Sequence, residues 1–582
     1  MARILLLVLA AVGASRAPRL QVGRTTLIGK ATRASTEFLG IPFATAERFG
    51  KPVDAALGAV HGTLDATAFG PCCPQVAAIY APNQQEQCLN LNVFAPKAPP
   101  PPRGGAPVLL FIHGGGGTTG CSAQSNPPLY NGTNMLRRLA ARGNSTAVIV
   151  TVNYRLSVLA NLYLADGSGG DAAGDPAGAP ALPDNLQVRD WTSALRWVRR
   201  HISAFGGDPS RVLIFGESAG GNAVQLLALA PGAAGLFQHV LSESGTFALA
   251  TGFDNATTAN AKSRAVAAHA NCTQPVAADV LACLRARTAE EVQASAAMAQ
   301  LAVVVGTEQV PRYPARSLAA GTGVSAALQT VTAGWNTPDN FNLCASAAGR
   351  AAGPAQAAAY LAQNIPLWTG AGPADVAAVL AAYNASGCAP EADGMRGRHG
   401  GDSSGSAPPA CCALADTILL DATMRCPVDR SLGAYAKHRP DTAQFMYTLG
   451  CCPTCPAPGR GEECVCQHTS ELAYVFGTVS DYESGASPAP ALNCTPEATF
   501  TPFSDALIDT WVGIAANGSH GPSWPEFGGG AMVFLDEQAQ GGPSFTPQAW
   551  DAAAHHCELW QSIDDAAATA KFGTFETESE SV

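Results

Sequence analysis

A glycine-flanked serine constrains this chain more than any other feature. In Gly216-Glu217-Ser218-Ala219-Gly220 the serine follows an apolar run, Val212-Leu213-Ile214-Phe215, and precedes a helix-like stretch carrying Ala223, Val224, Leu226 and Leu227. A buried strand, a sharp turn and a helix push one hydroxyl out at the top of a sheet. Small flanking residues suit a tight turn that other backbone must approach closely. The helix N-terminus beside the hydroxyl favours negative charge there. The expectation is an activated serine nucleophile and acyl-transfer chemistry. The alternative is an ordinary surface serine on a glycine-rich turn, because a chain with 60 glycines matches such a pattern by chance.

The rest of the chemistry decides between them. A serine hydroxyl needs a base to take its proton, an acid to hold that base, and donors for the oxyanion formed on attack. A donor loop should precede the serine, with the acid and then a histidine after it. His113-Gly114-Gly115-Gly116-Gly117 follows directly on the apolar run Val108 to Ile112. Glycines there let backbone N–H groups face a ligand without Cβ obstruction. A plain flexible loop is the alternative, but the position after a strand and upstream of the serine favours donors. Ala219, the residue after the serine, supplies a further N–H. His399, His438, His468, His520, His555 and His556 all follow the serine, so order alone leaves the base open.

Apolar and helix-like runs alternate through the first half. Val108–Ile112, Ala147–Val152 (ending at Asn153-Tyr154-Arg155), Leu328–Thr332 and Phe445–Leu449 read as strands, and Trp191–Ile202 as an amphipathic helix. Such alternation predicts an α/β fold with a mostly parallel sheet covered on both faces. Ala-rich helical segments fill much of 258–385. Residues 386–413 read as a loop insertion, and 450–466, with three prolines among five cysteines, as irregular.

Charge and cysteine content narrow the class. The net charge is −11 with no basic run, which argues against nucleic acid as a partner. Arg3, the apolar Ile4–Val12 and the small residues Val12-Gly13-Ala14 read as a secretory signal over 1–14. That run is about half the ~20 apolar residues needed to span a bilayer, so no transmembrane anchor is expected. The tail 561–582 ends in an acidic, polar stretch and is expected to be disordered. Eighteen cysteines, an even number, fit a disulfide framework in an oxidising compartment. Sequons at Asn131, Asn144, Asn255, Asn271, Asn384, Asn493 and Asn517 fit a glycosylated, secreted protein.

Together these motifs resemble the type-B carboxylesterases, the group that includes cholinesterases, liver-type carboxylesterases and some lipases. The resemblance spans nearly the whole chain after the signal. Phe38-Leu39-Gly40-Ile41-Pro42-Phe43-Ala44 resembles the family's opening segment, and Glu86-Gln87-Cys88-Leu89-Asn90-Leu91-Asn92-Val93 its second signature. Phe205–Pro209 with Phe215–Gly221 resembles the nucleophile signature, and Leu241-Ser242-Glu243-Ser244-Gly245 the strand that follows. The resemblance implies an α/β-hydrolase fold over 15–560: a large, mostly parallel central sheet flanked by helices, with long helical and loop insertions.

It also implies roles. Ser218 is the nucleophile, with Gly115, Gly116 and Ala219 forming the oxyanion hole. His468 precedes Glu471 and Val475-Phe476-Gly477 at the family's step, which makes it the base. In Gly334-Trp335-Asn336-Thr337-Pro338-Asp339-Asn340, Asp339 stands where the family usually has Glu, and Asn340 where it has Gly. The shorter acid requires its loop to sit closer to His468; the alternative is an ordinary Pro-Asp-Asn turn. Glu217 and Tyr80 are pocket candidates, while Glu471 reads as structural. The implied disulfides are Cys73–Cys88, Cys272–Cys283 and Cys426–Cys557, which leaves twelve cysteines unassigned. A zinc site at Cys452, Cys455, Cys464 and Cys466 is the weaker alternative to disulfides.

The expected function is hydrolysis of a small-molecule or lipid carboxylic ester, without metal or cofactor. Activity should fall below a His468 pKa of ~6.5 if that group is unperturbed. The family tryptophan of choline-ester enzymes has no counterpart before the second signature, where Tyr80 is the nearest aromatic, so a broad carboxylesterase is favoured. A lipase-like enzyme, which would need an exposed apolar lid that the polar stretch 386–413 gives little support for, and a catalytically silent adhesion protein are the alternatives.

Overall fold

The computed structural model describes residues 17–574 except 60, 77–80, 82, 98–103, 126–127, 144–145, 167–180, 248, 338, 340–342, 344–352, 386–409, 452–467, 479–496 and 537–543. The signal segment 1–14, Tyr80, Asn144, Asn493 and most of 386–413 and 450–466 therefore lie outside the described residues.

Its centre is an eleven-stranded sheet. In chain order the strands are β1 (Lys30–Ala31), β2 (Ser35–Pro42), β3 (Asn90–Pro96), β4 (Ala106–Ile112), β5 (Val148–Val152), β6 (Gly207–Glu217), β7 (His239–Glu243), β8 (Thr330–Asn336), β9 (Ala443–Cys451), β10 (Ala531–Asp536) and β11 (Ser544–Ala549). In space they run β11-β10-β9-β8-β7-β6-β4-β5-β3-β2-β1. The strands from β10 through β5 in that order are parallel to one another. The pairings at both margins are antiparallel.

Why these segments form central strands follows from burial on both faces. Along β4, Val108, Leu110 and Ile112 join one core while Leu109 and Phe111 join the other. β6 divides likewise, with Val212 and Ile214 on one side and Leu213 and Phe215 on the other. Doubly covered strands read as continuous apolar runs, which is how they are written here. Helix α1 (Gly132–Arg142) and α2 (Leu186–His201) flank the sheet, the latter through Trp191, Leu195 and Val198. α2 begins five residues before the run read from sequence, because Asn185 in a left-handed conformation (φ 46°) turns the chain into it. Strand β8 starts at Thr330 rather than Leu328, since pairing with β7 begins at His239 opposite Thr330.

Disulfides join Cys73 to Cys88, Cys272 to Cys283 and Cys426 to Cys557, and a fourth joins Cys72 to Cys121. One expectation needs correction. The segment from 561 onward is not disordered at its start: helix Cys557–Phe572 contains it and buries Trp560, Ile563 and Ala568. Apolar residues at helical spacing anchor it, and only the acidic end beyond 574 lies outside the described residues. Residues 410–413 of the expected insertion likewise open a helix, Ala410–Leu420. Among the described residues no single helix is long and apolar enough to cross a membrane.

Behind β5 the chain is held by one buried ion pair. Arg155 donates from Nε to Asp190 Oδ2 at 2.8 Å and from Nη2 to Oδ1 at 2.6 Å, and from Nη1 to the Gly50 carbonyl at 2.7 Å. Both side chains are shielded from water. Removing one partner strands a buried charge, whereas removing both does not. Arg155→Met should therefore lower stability by about 3–5 kcal/mol, and Arg155→Met with Asp190→Leu should recover most of it. The shift of the denaturant midpoint of the single and double variants measures this.

Candidate active site

The turn between β6 and helix α3 (Ala219–Leu227) exposes Ser218 at the C-terminal end of the parallel strands. Ser218 takes φ 58° and ψ −121°, a strained conformation for a residue with a Cβ that costs about 1–3 kcal/mol. Its neighbours enforce it. The Ser218 N–H donates to the Glu243 carbonyl at 2.9 Å, and the Ser218 carbonyl accepts the Asn222 N–H at 2.9 Å. A Cβ at Gly216 would sit 2.7 Å from the Ile112 carbonyl oxygen, and one at Gly220 would press into that same atom. The small residues around the serine let α3 sit directly on β4.

The loop after β4 carries Gly115 and Gly116 with φ of 102° and 64°. Below it His113 is buried and holds no charge: burial pushes its imidazole down to about 4. Its ring stacks on Tyr154, whose hydroxyl donates to the His113 carbonyl at 2.8 Å. Above this platform, the N–H groups of Gly115, Gly116 and Ala219 donate no hydrogen bond to any described residue. Gly116 and Ala219 line a cavity of about 550 Å3. Two of these three unused donors, on Gly116 and Ala219, thus belong to residues of one cavity wall beside Ser218.

His468 and Asp339 come together from distant segments. His468 Nδ1 bonds to Asp339 Oδ1, and the His468 N–H donates to the Asp339 carbonyl at 3.3 Å. Asp339 Oδ2 accepts the Asn336 N–H at 3.0 Å, which pins the acid's loop to the end of β8. On the other ring nitrogen, Glu217 Oε1 lies 3.1 Å from Nε2. That oxygen makes no hydrogen bond. No hydrogen bond joins Ser218 Oγ to His468 among the described residues.

Around this histidine lies a set of carboxylates, of which the sequence named Glu217 as a pocket candidate and Glu471 as structural but assigned Glu243 no role. Glu217 and Glu243 are direct neighbours in the register of β6 and β7, and Glu471 lies in the first turn of the short helix Ser470–Val475 after His468. Glu243 Oε1 accepts from Trp511 Nε1 at 2.8 Å, and Glu471 accepts from Asn336 Nδ2. Each of the three keeps one buried oxygen without a hydrogen bond. Burial raises the pKa of all three, and Glu471 raises those of Glu217 and Glu243 further. For His468, burial pulls the pKa down, but Glu217 and Asp339 outweigh it and the net shift is upward. The cluster therefore retains protons to higher pH than a free imidazole and free carboxyls would. The available signal for Glu243 was its place at the end of the strand after the serine motif.

The carboxylesterase family profile matches residues 18–541, and the chain belongs to this family, whose fold is the α/β-hydrolase fold. It is 36% identical over 236 residues to para-nitrobenzyl esterase of Bacillus subtilis, covering 38% of this chain and 43% of that protein. It is 37% identical over 213 residues to bile salt-activated lipase of Mus musculus, covering 36% and 32%. Neuroligin-2 of Mus musculus is 32% identical over 291 residues, covering 44% and 32%. The chain thus spans less than half the length of the curated relatives it matches.

The carboxylate cluster has a consequence for stability. The unfolded Glu243 carboxyl ionises near 4.5, whereas the folded one keeps its proton well above that. Its contribution is full below 4.5 and is lost as pH rises toward the folded value. Glu243→Gln keeps an acceptor for Trp511 and removes the titration. The stability of the variant relative to wild type should rise between pH 5 and pH 8, by about 1.4 kcal/mol per pH unit at most. Thermal unfolding at both pH values checks the sign.

Proposed function

We propose that this chain is a carboxylic ester hydrolase in which Ser218 attacks, His468 moves the proton and Asp339 orients the imidazole. The observation that carries the reading is the strained Ser218 next to Ala219, whose unused N–H shares one cavity with Gly116, while Asp339 holds His468 nearby. As Ser218 Oγ attacks the ester carbonyl, His468 Nε2 takes its proton, and the N–H groups of Gly115, Gly116 and Ala219 receive the oxyanion. Each such donor is worth about 3 kcal/mol in the transition state. His468 then protonates the departing alcohol, and water attacks the acyl-enzyme with His468 again as base. No hydrogen bond joins Ser218 Oγ to Nε2 among the described residues, and such bonds are often unformed before substrate binds. No step calls for a metal or organic cofactor.

The family's esterase and lipase relatives support ester hydrolysis, and a broad carboxylesterase acting on small-molecule esters is the reading favoured here. A lipase-like preference for longer acyl esters is its nearest alternative. The similarity to neuroligin-2 keeps an adhesion role as the rival class, against which the Ser218–His468–Asp339 set stands. We read 15–560 as one catalytic unit behind a signal segment. The disulfides agree with passage through an oxidising compartment, and Asn271, Asn384 and Asn517 are exposed for glycosylation.

A fluorophosphonate should label Ser218 and no other serine, and Ser218→Ala should abolish both labelling and turnover; peptide mapping reads the site. An unlabelled Ser218 in folded protein overturns the proposal. The pH profile is a second test. His468 acts when neutral, and its pKa is shifted upward, so kcat/KM should fall as pH drops through a value above the 6.5 of free imidazole. This moves the limb upward from the ~6.5 expected for an unperturbed group. Glu217→Gln removes the largest charge raising His468, and the acid limb should shift to lower pH.

A further inference from the structure

The cavity beside Ala219 carries a single charge. Of the described residues that line it, only Lys262 has a charged side chain. Leu226, Phe253 and Leu301 are among the others, and such walls suit a carbon chain. Lys262 stands on the helix Ala256–His269. Its ammonium bonds to both carboxylate oxygens of Asp254, at 3.0 Å to Oδ1 and 2.8 Å to Oδ2. An ammonium has three N–H donors, so one is left over. Lys262 is also the open member of the pair: its side chain is 32% exposed, against 1% for Asp254.

The pair is not neutral. Lys571 Nζ also reaches Asp254 Oδ1, at 3.1 Å. Two ammonium groups on one carboxylate leave a unit of positive charge. Several contacts fix this arrangement. Asp254 pairs in register with Val304, and its carbonyl accepts the Val305 N–H at 2.8 Å. Asn255 caps the helix of Lys262 by accepting the Thr258 N–H at 2.8 Å, and its Nδ2 donates to the Lys571 carbonyl at 2.6 Å. Consecutive residues thus hold the shared carboxylate, the start of the first lysine's helix and the second lysine. Asn222 lines the same cavity one helical turn after Ala219. Its Oδ1 accepts the Thr246 N–H at 2.6 Å, and its Nδ2 donates to no described residue. The net charge of −11 opposes anions from a distance, but it is screened over ~8 Å at physiological ionic strength, so at contact Lys262 prevails.

We propose that Lys262 determines specificity, and that the substrates are small esters bearing a carboxylate away from the scissile bond. Lys262 receives that carboxylate, with the Asn222 amide as a further donor, while the ester lies beside Ser218. The proposal rests on the esterase reading for the catalytic step and narrows its substrate class. An ion pair serving stability alone does not account for the arrangement. Asp254 would be neutralised by Lys571 by itself, from outside the cavity lining. The second cation exceeds what the carboxylate needs, and it stands on the wall of the cavity. The same charge disfavours cationic esters. The carboxylate can belong to the acyl or to the alcohol part of the ester, and the experiment has an arm for each.

Matched esters and the full-length protein make the test. Mono-4-nitrophenyl adipate carries its carboxylate on the acyl side, with p-nitrophenyl hexanoate as the uncharged control. 4-Acetoxybenzoate carries it on the alcohol side, with 4-acetoxybenzamide as control. Wild type should prefer at least one charged ester to its control in kcat/KM, and added salt should reduce that preference. Lys262→Met should raise KM for that ester by about tenfold with kcat nearly unchanged, and leave the control within about twofold. Lys262→Arg should keep most of the preference. Lys571→Met should raise the same KM by a smaller factor, because it cancels the surplus charge without removing the contact. Both methionine variants leave Asp254 one lysine partner, so both should fold, which thermal unfolding checks. No preference for either charged ester, or equal losses on charged and uncharged esters in Lys262→Met, overturns the proposal and leaves the esterase reading standing. No turnover of any ester, with Ser218 unlabelled, ends the esterase reading and this inference with it.

Discussion

The approach of α3 to the end of β4, where Gly220 meets the Ile112 carbonyl, is the contact on which the rest depends. Any side chain at Gly220 would occupy that oxygen's place. With the helix seated there, the chain leaving β6 has too little room for an ordinary turn, and Ser218 is driven to positive φ. The same seating aims the Ala219 N–H and the loop after β4 at one point. The unstrained alternative would lift the helix off the sheet and expose Ala223, Val224 and Leu227, all buried now. Burial of such side chains contributes about 1.5–3 kcal/mol each for the larger ones, enough to offset one strained residue.

The second constraint is electrostatic. Strands β6, β7 and β8 end side by side, and each contributes a polar group to the same buried space: Glu217, Glu243 and Asn336. Concentrating carboxyls where water is excluded is costly unless protons or a cation remain among them. His468 is the cation within reach, between Asp339 and Glu217. Its upward shift is therefore a property of the whole cluster rather than of the Asp339 bond alone. A base held this way would take up a proton readily and release it reluctantly, so the same carboxylates that favour the first proton transfer oppose the return of that proton to the leaving alcohol.

Much of this was legible in the chain. β4, β5, β6 and β9 read as strands because both faces are buried and nearly every residue is apolar. The margins did not: β11 carries Ser544, Thr546, Pro547 and Gln548, and nothing in that composition says strand until β10 pairs with it. Asp339 stood at the expected step, yet its closeness to His468 depends on Asn336 gripping its other oxygen, a contact no spacing encodes. Glu243 was visible as a letter in a motif, but a carboxylate at a strand end looks like a surface residue until the neighbouring strand places Glu217 beside it. Cys72 was inseparable from Cys73 in sequence; the pairing with Cys121 follows from where the loop after β4 turns. The cavity was invisible, since its walls come from segments more than two hundred residues apart.

A shared fold does not decide between an ester hydrolase and a binding protein, since function is carried by side chains grafted on the scaffold. What distinguishes the two is the free energy committed to features that adhesion does not need. A surface built for binding gains nothing from a serine held at positive φ, from buried carboxyl oxygens without partners, or from backbone donors left unpaired beneath a cavity. Each of these costs on the order of 1–3 kcal/mol against a relaxed alternative. In this chain all three occur around the C-terminal ends of the parallel strands, near the turn that carries Ser218. Strain and unused donors follow from the seating of α3 and proton retention from the buried carboxyls, and the proposed acyl transfer would make use of all of them together: negative charge appearing on an oxygen beside Ser218 while a proton moves to His468.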